Sequence, residues 1–140
     1  MSGEKVEIVP GLYVGDRYAA ESLGRFVPTG WHCISVTEYD GKLRPKNEIP
    51  NEPIGSCSRP FMSISGAARI RMLDGIAGEI EAAIAAGKNV LVHCVQAHER
   101  SPLAIAWYLV KSKQAADLNA AYGIVCPKHP PTERRDAWTR

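Results

Sequence analysis

The stretch that decides the fold is VLVHCVQAHERSP, which runs from Val90 to Pro102. Its first three residues are a continuous apolar run, typical of a strand buried on both faces of a parallel sheet. From Pro102 to Val110 the chain is apolar on nearly every side, which predicts a helix at the centre of a domain, and proline suits its first turn. Residues 93–101 therefore form a loop between the carboxyl end of a strand and a helix N-terminus, where α/β folds bind ligands.

This loop carries the residue types that bind and attack a phosphate. Backbone N–H groups at a helix N-terminus converge on an anion, and the helix dipole adds a partial positive charge. The same groups and a nearby arginine favour the thiolate of Cys94, which would be the nucleophile. Arg100 can hold two phosphate oxygens with its planar fork, and Ser101 can donate its hydroxyl to the sulfur when the sulfur leaves. The predicted phosphate-binding residues are Val95, Gln96, Ala97, His98, Glu99 and Arg100.

The rest of the chain predicts alternating strands and helices. The expected strands are two short pieces within Val6 to Val14, then His32 to Val36, Phe61 to Ile64 and Asn89 to His93. The expected helices are Tyr18 to Leu23, Ala67 to Ala86, Pro102 to Val110, Gln114 to Tyr122 and Thr132 to Trp138. Residues 38–60 are rich in proline and glycine and predict a long surface loop. This order predicts an α/β fold with a largely parallel central sheet flanked by helices, and the 140 residues fit one domain, 1–140.

The stretch from Val90 to Pro102 closely resembles the His-Cys-x5-Arg-Ser signature of the dual-specificity phosphatases, in the cysteine-dependent protein-tyrosine-phosphatase superfamily. Ile8 to Gly15 resembles the opening strand-turn-strand of that family, and Cys33 to Glu38 its next core strand. The resemblance implies a phosphatase-like fold and a two-step reaction. Cys94 attacks phosphorus, Arg100 orients the phosphate, and water then hydrolyses the phosphocysteine intermediate. It also implies a phosphorylated protein or a small phosphomonoester as substrate.

Two departures from the family pattern bear on activity. Ala97 stands where the family usually has glycine, which gives the loop its freedom to adopt positive φ. The family's general acid is an aspartate on an earlier loop, whereas the corresponding stretch here, Phe61 to Ala67, has no carboxylate. Glu99 is the first candidate for that role, because it resembles the glutamate before the arginine in the rhodanese-fold cell-cycle phosphatases. Asp40 or Glu52 could also reach the site.

Composition limits the other function classes. A net charge of +2 is too small to indicate nucleic-acid binding, and no run approaches the roughly 18 apolar residues of a membrane span. The four cysteines are widely spaced with no C-x-x-C pair, so neither a metal site nor another cofactor is predicted. Met1 to Lys5 is short and polar and is not an apolar signal segment, so a reducing cytoplasm is the expected compartment. Cys33 and Cys126 are expected in the core, while Cys57 could form a disulfide with an oxidised Cys94.

Two functions fit the sequence. The first is a protein tyrosine or dual-specificity phosphatase that works through a phosphocysteine intermediate. The second is a pseudophosphatase or phosphate-binding module with little turnover. Both need Arg100, but a pure binder gains little from a reactive thiol at Cys94. The sequence leaves the oligomeric state and the physiological substrate open.

Overall fold

The computed structural model describes residues 4–37, 51–60, 66–94 and 97–134, which form one sheet with helices on both faces. The strands are β1 (Val6–Val9), β2 (Leu12–Gly15), β3 (Trp31–Thr37), β4 (Cys57–Pro60) and β5 (Asn89–His93). The helices are α1 (Arg17–Glu21), α2 (Gly66–Ala85), α3 (Arg100–Lys111) and α4 (Leu118–Lys128). None of the helices in these ranges is both long and apolar enough to cross a bilayer.

The sheet has the order β1-β2-β5-β3-β4, with β5 in its centre. Strands β2, β5, β3 and β4 are parallel, and β1 is antiparallel to β2. The turn between β1 and β2 uses Gly11 at φ +81°, a conformation that glycine adopts without strain. The largely parallel sheet predicted from the sequence is therefore confirmed, and the carboxyl ends of β3 and β5 lie side by side.

The helices cover the sheet through their apolar faces, and two of them, α1 and α4, begin at an aspartate that caps the helix. Asp16 accepts a hydrogen bond from the Ala19 N–H at 2.9 Å and begins α1. Asp117 does the same for the Ala120 N–H at 2.8 Å and begins α4. The main core joins α2, α3 and α4 to one face of the sheet. A smaller cluster of Ala20, Cys33 and Leu91 joins α1 to the other face.

Helix α3 is the buried helix predicted after the loop. Its residues from Ser101 to Ala106 are all buried, as are Val90, Leu91 and Val92 of the strand before it. The helix begins at Arg100, two residues earlier than expected, so that Pro102 lies in its first turn. A buried strand and a buried helix thus hold the two ends of the loop.

The prediction that residues 57–60 belong to a surface loop was wrong. Residues 57–60 form the edge strand β4 rather than the end of a loop, and the strand expected at Phe61 to Ile64 lies outside the described residues. The sequence of β4 lacks an apolar alternation and ends in Pro60, a residue type tolerated at sheet edges. Its pairing with β3, through Ile34 opposite Cys57 and Val36 opposite Arg59, makes it a strand.

The predicted helix from Gln114 to Tyr122 was also wrong in its bounds. The N–H groups of Gln114 and Ala115 donate to the Leu109 carbonyl and so close the preceding helix. Helix α4 starts only after Asp117 and continues through Gly123 to Lys128. Glycine inside a helix costs about 1 kcal/mol relative to alanine, but burial of Tyr122 and Val125 holds the helix on the core. Residues 132–134 are not helical, and 135–138 lie outside the described residues.

Candidate active site

Cys94 lies directly after the central strand, at the carboxyl edge of the sheet. Its side chain is 2% exposed, and its N–H points at the Gly15 carbonyl over 3.4 Å. Gly15 allows this close packing, because a Cβ there would lie 2.6 Å from the Ala19 Cβ. The thiol is thus held at a fixed point where β2 and β5 end.

Ser101 is the closest polar neighbour of the Cys94 sulfur. Its Oγ lies 3.2 Å from Sγ, and its backbone N–H donates to Sγ over 3.4 Å. Ser101 is fully buried in the first turn of α3, so its hydroxyl is shielded from solvent. The sulfur therefore faces one backbone donor and one hydroxyl that can donate to a thiolate, at a helix N-terminus, an arrangement that stabilises negative charge.

Arg100 is the first residue of α3, and its guanidinium is held at the same edge of the sheet. Nη1 donates to the Val36 carbonyl at 3.2 Å, near the end of β3. Since β3 is the neighbour of β5, this bond brings the guanidinium across the strand ends towards the loop. The structure thus places Ser101 against the Cys94 sulfur and the Arg100 guanidinium at the carboxyl end of the neighbouring strand β3.

Ala97 adopts a left-handed backbone conformation, of the kind that glycine adopts without strain. Its φ is +60°, a left-handed value that costs an alanine about 1–2 kcal/mol. The side chain is 2% exposed and packs with the core, and the carbonyl is bonded to His129 Nε2 at 2.7 Å. Core packing of the side chain and the bond from His129 to the carbonyl therefore hold Ala97 in this conformation.

The far end of the chain supports the loop in a way that sequence reasoning missed. Besides the His129 contact with Ala97, the Glu133 N–H donates to the His98 carbonyl at 2.6 Å. These residues follow α4, which docks on β1 through a 2.6 Å bond from Lys128 Nζ to the Ile8 carbonyl. No local pattern around His129 marks this role, since it arises only from the packing of α4.

Of the four other residues predicted to bind phosphate, the structure describes two, His98 and Glu99. Val95 and Gln96 lie outside the described residues. His98 and Glu99 are half-buried, and Glu99 takes the N-cap position of α3 without a capping hydrogen bond from its side chain. Its carbonyl accepts the Leu103 N–H at 3.0 Å, which fixes the backbone of Glu99 at the start of the helix.

A buried polar cluster lies beneath the loop. His93 is fully buried, and its Nε2 lies 3.4 Å from Glu52 Oε1, a long ion-pair contact. Ser35, also fully buried, is the β3 partner of His93 in the sheet. Burial alone would raise the pKa of Glu52, but interactions with His93 and Ser35 outweigh it and hold that pKa below the ordinary glutamate value.

This cluster decides against one candidate general acid. Glu52 faces the buried His93, and its lowered pKa disfavours the protonated form that a general acid must use. Asp74 is also engaged elsewhere, since it accepts from Trp107 Nε1 at 2.8 Å between α2 and α3. Asp40 lies outside the described residues. Of the candidates named from the sequence, Glu99 is the one that the described structure places in the loop itself.

The four cysteines are free thiols. Cys33 is fully buried as expected, and burial raises the pKa of its thiol to about 11. Cys57 cannot bond to Cys94 in this fold, because β3 separates their strands and neighbouring strands are about 4.8 Å apart. Their Cα atoms are thus more than about 9 Å apart, beyond the roughly 7 Å limit of a disulfide.

Comparisons with known proteins agree with this architecture. No protein-family model matches the sequence, and no curated protein matches it. Among solved structures, human DUSP28 matches with a TM-score of 0.70 and 23% identity, covering 96% of this chain and 86% of that chain. Human tyrosine phosphatase-like serine/threonine/tyrosine-interacting protein matches with 0.71 and 17% identity, covering 98% and 91%. PTPMT1 matches with 0.67 and 15% identity, covering 97% and 89%.

At these identities the likeness establishes the fold. The neighbours share the five-stranded, largely parallel sheet and its flanking helices across nearly the whole chain. The chain therefore has the fold of the dual-specificity phosphatases of the protein-tyrosine-phosphatase superfamily.

Proposed function

We propose that this protein is a phosphomonoester hydrolase, a cysteine-dependent protein phosphatase that acts on phosphotyrosine and on other phosphorylated residues. The observation that carries the proposal is the environment of the Cys94 sulfur. The Ser101 hydroxyl, which can donate to a thiolate, lies 3.2 Å from it and the Ser101 N–H donates to it over 3.4 Å at the start of α3, while Arg100 lies at the same edge of the sheet. A thiol used only for packing needs neither the donors nor the guanidinium.

The proposed reaction has two steps. The Cys94 thiolate attacks phosphorus, so that an S–P bond forms while the bond from phosphorus to the leaving oxygen breaks. Arg100 holds two of the phosphate oxygens and stabilises the charge that builds up on them. Water then attacks the phosphocysteine, the S–P bond breaks, and inorganic phosphate leaves. Ser101 stabilises the departing thiolate through its hydroxyl and its N–H.

Glu99 is proposed as the proton donor to the leaving oxygen. The N-cap position keeps its backbone at the loop, and its side chain is half-buried rather than directed fully into solvent. A phenolate leaves with little help, whereas a serine alkoxide needs a proton. In the second step the same carboxylate would take a proton from the attacking water.

The leaving group tests this role. Glu99→Gln should lower kcat for an alkyl phosphate by about 10²–10⁴-fold, the usual contribution of a general acid, and should lower kcat for p-nitrophenyl phosphate much less. Glu81→Gln, an exposed glutamate on α2, is the matched control and should leave both rates unchanged. Equal losses on both substrates, or an unchanged pH–rate profile on the alkyl phosphate, would show that Glu99 is not the acid.

The residues around the loop favour singly phosphorylated substrates. A carboxylate at Glu99 repels additional phosphate groups, and the loop from 93 to 101 has no lysine. We therefore propose phosphoproteins, phosphotyrosine above all, in preference to phosphoinositides or RNA 5′-triphosphates. The proposal includes no resident cofactor, and a cytoplasmic location remains a prediction.

A pseudophosphatase is the second candidate. The strained Ala97, with φ +60° where glycine would be relaxed, is the observation in its favour. One structural neighbour is itself described only as tyrosine phosphatase-like, at 17% identity. Against it stands the intact set of Cys94, Arg100 and Ser101.

Turnover and trapping separate the two candidates. The wild-type protein should hydrolyse p-nitrophenyl phosphate, and acid quenching during turnover should trap one phosphoryl group on Cys94, identified by peptide mass spectrometry. Cys94→Ser should abolish turnover and keep phosphate binding, whereas Cys126→Ser, at a half-buried cysteine in α4, should change neither. Phosphate binding by the wild type without turnover or trapping would favour the pseudophosphatase.

A further inference from the structure

A second group of reactive side chains lies away from the loop, on the face of the sheet that packs against α2. His32 is in β3, Cys57 begins β4, and Glu79 is in α2. Cys57 is the sheet partner of Ile34, a core residue, so its side chain is on the same face as His32 and Ile34. We call His32, Cys57 and Glu79 the edge cluster, because β4 is an edge strand.

The distances in the edge cluster are close to those of a metal site. His32 Nε2 lies 2.6 Å from Glu79 Oε2, and one ligand atom from each of the three residues lies within 4.8 Å of the others. Bonds from zinc to nitrogen, oxygen and sulfur are about 2.0–2.3 Å, so a tetrahedral ion holds its ligand atoms about 3.3–3.7 Å apart. Shifts of about 1 Å in side-chain positions would bring the three atoms to that spacing.

Arg59 orients the carboxylate. Its Nε donates to Glu79 Oε1 at 2.8 Å and its Nη2 lies 2.6 Å from the same oxygen, while Oε2 faces His32. Ligating carboxylates in metal sites are commonly held by such an outer hydrogen bond. The arginine thus occupies one oxygen and leaves the other directed into the cluster.

We propose that the edge cluster is a Zn²⁺ site with three protein ligands and an open fourth position. One imidazole nitrogen, one thiolate and one carboxylate form a mixed donor set that suits zinc and does not suit magnesium or calcium, which prefer oxygen alone. The side chains of His32 and Glu79 are 21% and 17% exposed, so an ion can enter and water can complete its coordination. The ligands come from three separate elements, which explains why the cysteine spacing predicted no metal site.

The bound ion would act as a clip between β3, β4 and α2. Strand β4 lies at one edge of the sheet and pairs, among the described residues, with β3, so a bond from Cys57 to an ion that α2 also holds would stabilise this edge. This role does not depend on phosphatase activity and holds equally for a non-catalytic protein.

Cobalt is the first probe, because a Co²⁺–thiolate bond absorbs in the near ultraviolet and tetrahedral Co²⁺ absorbs in the visible. The titration uses Cys94→Ser protein, so that the thiol of the loop cannot contribute. One equivalent of Co²⁺ should produce both absorptions. Cys57→Ser should abolish the ultraviolet band, and His32→Gln or Glu79→Gln should weaken binding about 10–100-fold. Cys126→Ser is the matched control and should leave the spectrum unchanged.

Zinc then tests the clip. Zn²⁺ should displace Co²⁺ and raise the Tm of the Cys94→Ser protein, as expected for an ion that binds only the folded state. The rise should disappear when Cys57→Ser is added and persist when Cys126→Ser is added. The proposal would be overturned by the absence of a thiolate band or by its survival in Cys57→Ser. It would also be overturned if zinc raised the Tm equally with and without the Cys57→Ser substitution. If Cys57→Ser did not fold, the Co²⁺ titrations of His32→Gln and Glu79→Gln would test the site instead. Unaltered Co²⁺ binding in both variants would contradict the proposed zinc site.

Discussion

The loop after β5 and the segment 51–60 both help to form the candidate site, but they are specified in different ways. The loop joins a buried strand to a buried helix, and its cysteine and serine, Cys94 and Ser101, contact each other only seven positions apart. The segment reaches distant partners: Glu52 faces His93 beneath the loop, and Arg59 pairs with Glu79 of α2. The loop therefore supplies the proposed chemistry, whereas the segment supplies support that only the folded sheet creates.

A substitution of Arg100 tests whether the loop supplies the proposed chemistry. Arg100→Lys keeps the positive charge and removes the planar fork that holds two phosphate oxygens. We expect kcat/KM for p-nitrophenyl phosphate to fall about 10²–10³-fold, the effect of losing a donor to developing negative charge. Arg71→Lys, on the exposed face of α2, should leave kcat/KM unchanged. Activity of Arg100→Lys above a tenth of wild type would mean that the backbone N–H groups alone hold the phosphate.

Glu52 tests the distant half. Leaving a buried polar group without its partner costs about 1–3 kcal/mol, so we expect Glu52→Gln, beside the buried His93, to lower the free energy of unfolding by about 2 kcal/mol at pH 7. The measurement is urea denaturation, with Glu81→Gln as the exposed control. Since Glu52 is assigned a supporting role, kcat of the folded variant should fall by similar factors on aryl and alkyl phosphates. A loss confined to alkyl phosphates, without loss of stability, would instead make Glu52 the general acid.

The same variant has a defined pH dependence. The pKa of Glu52 is lowered in the folded protein, so the unfolded chain binds the proton more readily. The contribution of Glu52 to stability is therefore present above the ordinary glutamate pKa, about 4.3, and is lost as pH falls through the lower folded value. The stability difference between wild type and Glu52→Gln should shrink in that acid range. A difference that stays constant from pH 7 to pH 3 would contradict the assignment of this pair.

The sequence predicted the elements that depend on local residue patterns and missed those that depend on distant contacts. The β1–β2 turn, β5 and α3 were predictable, because their apolar runs and their Gly and Pro residues act locally. Strand β4 was missed because it is made a strand by pairing with β3. His129 was missed for a similar reason, since its bond to the Ala97 carbonyl depends on where α4 packs. Contacts formed by tertiary packing leave no periodic signal in the sequence.

Ala97 lies in the loop but is held by His129 from a distant part of the chain. Its substitution by glycine is expected to change stability and activity the least. Ala97→Gly should relieve a left-handed strain of about 1–2 kcal/mol, but it also removes a buried methyl group and frees the unfolded chain by about 0.4–1 kcal/mol. These terms nearly cancel, so the free energy of unfolding should change by less than about 1 kcal/mol, and kcat/KM should stay close to wild type. Ala97→Val, which places a β-branched residue at positive φ, should lower both and serves as the contrast. A tenfold rise in kcat/KM for Ala97→Gly would instead mean that alanine holds the loop away from its active geometry, and that the contacts from His129 fix a poorly active state.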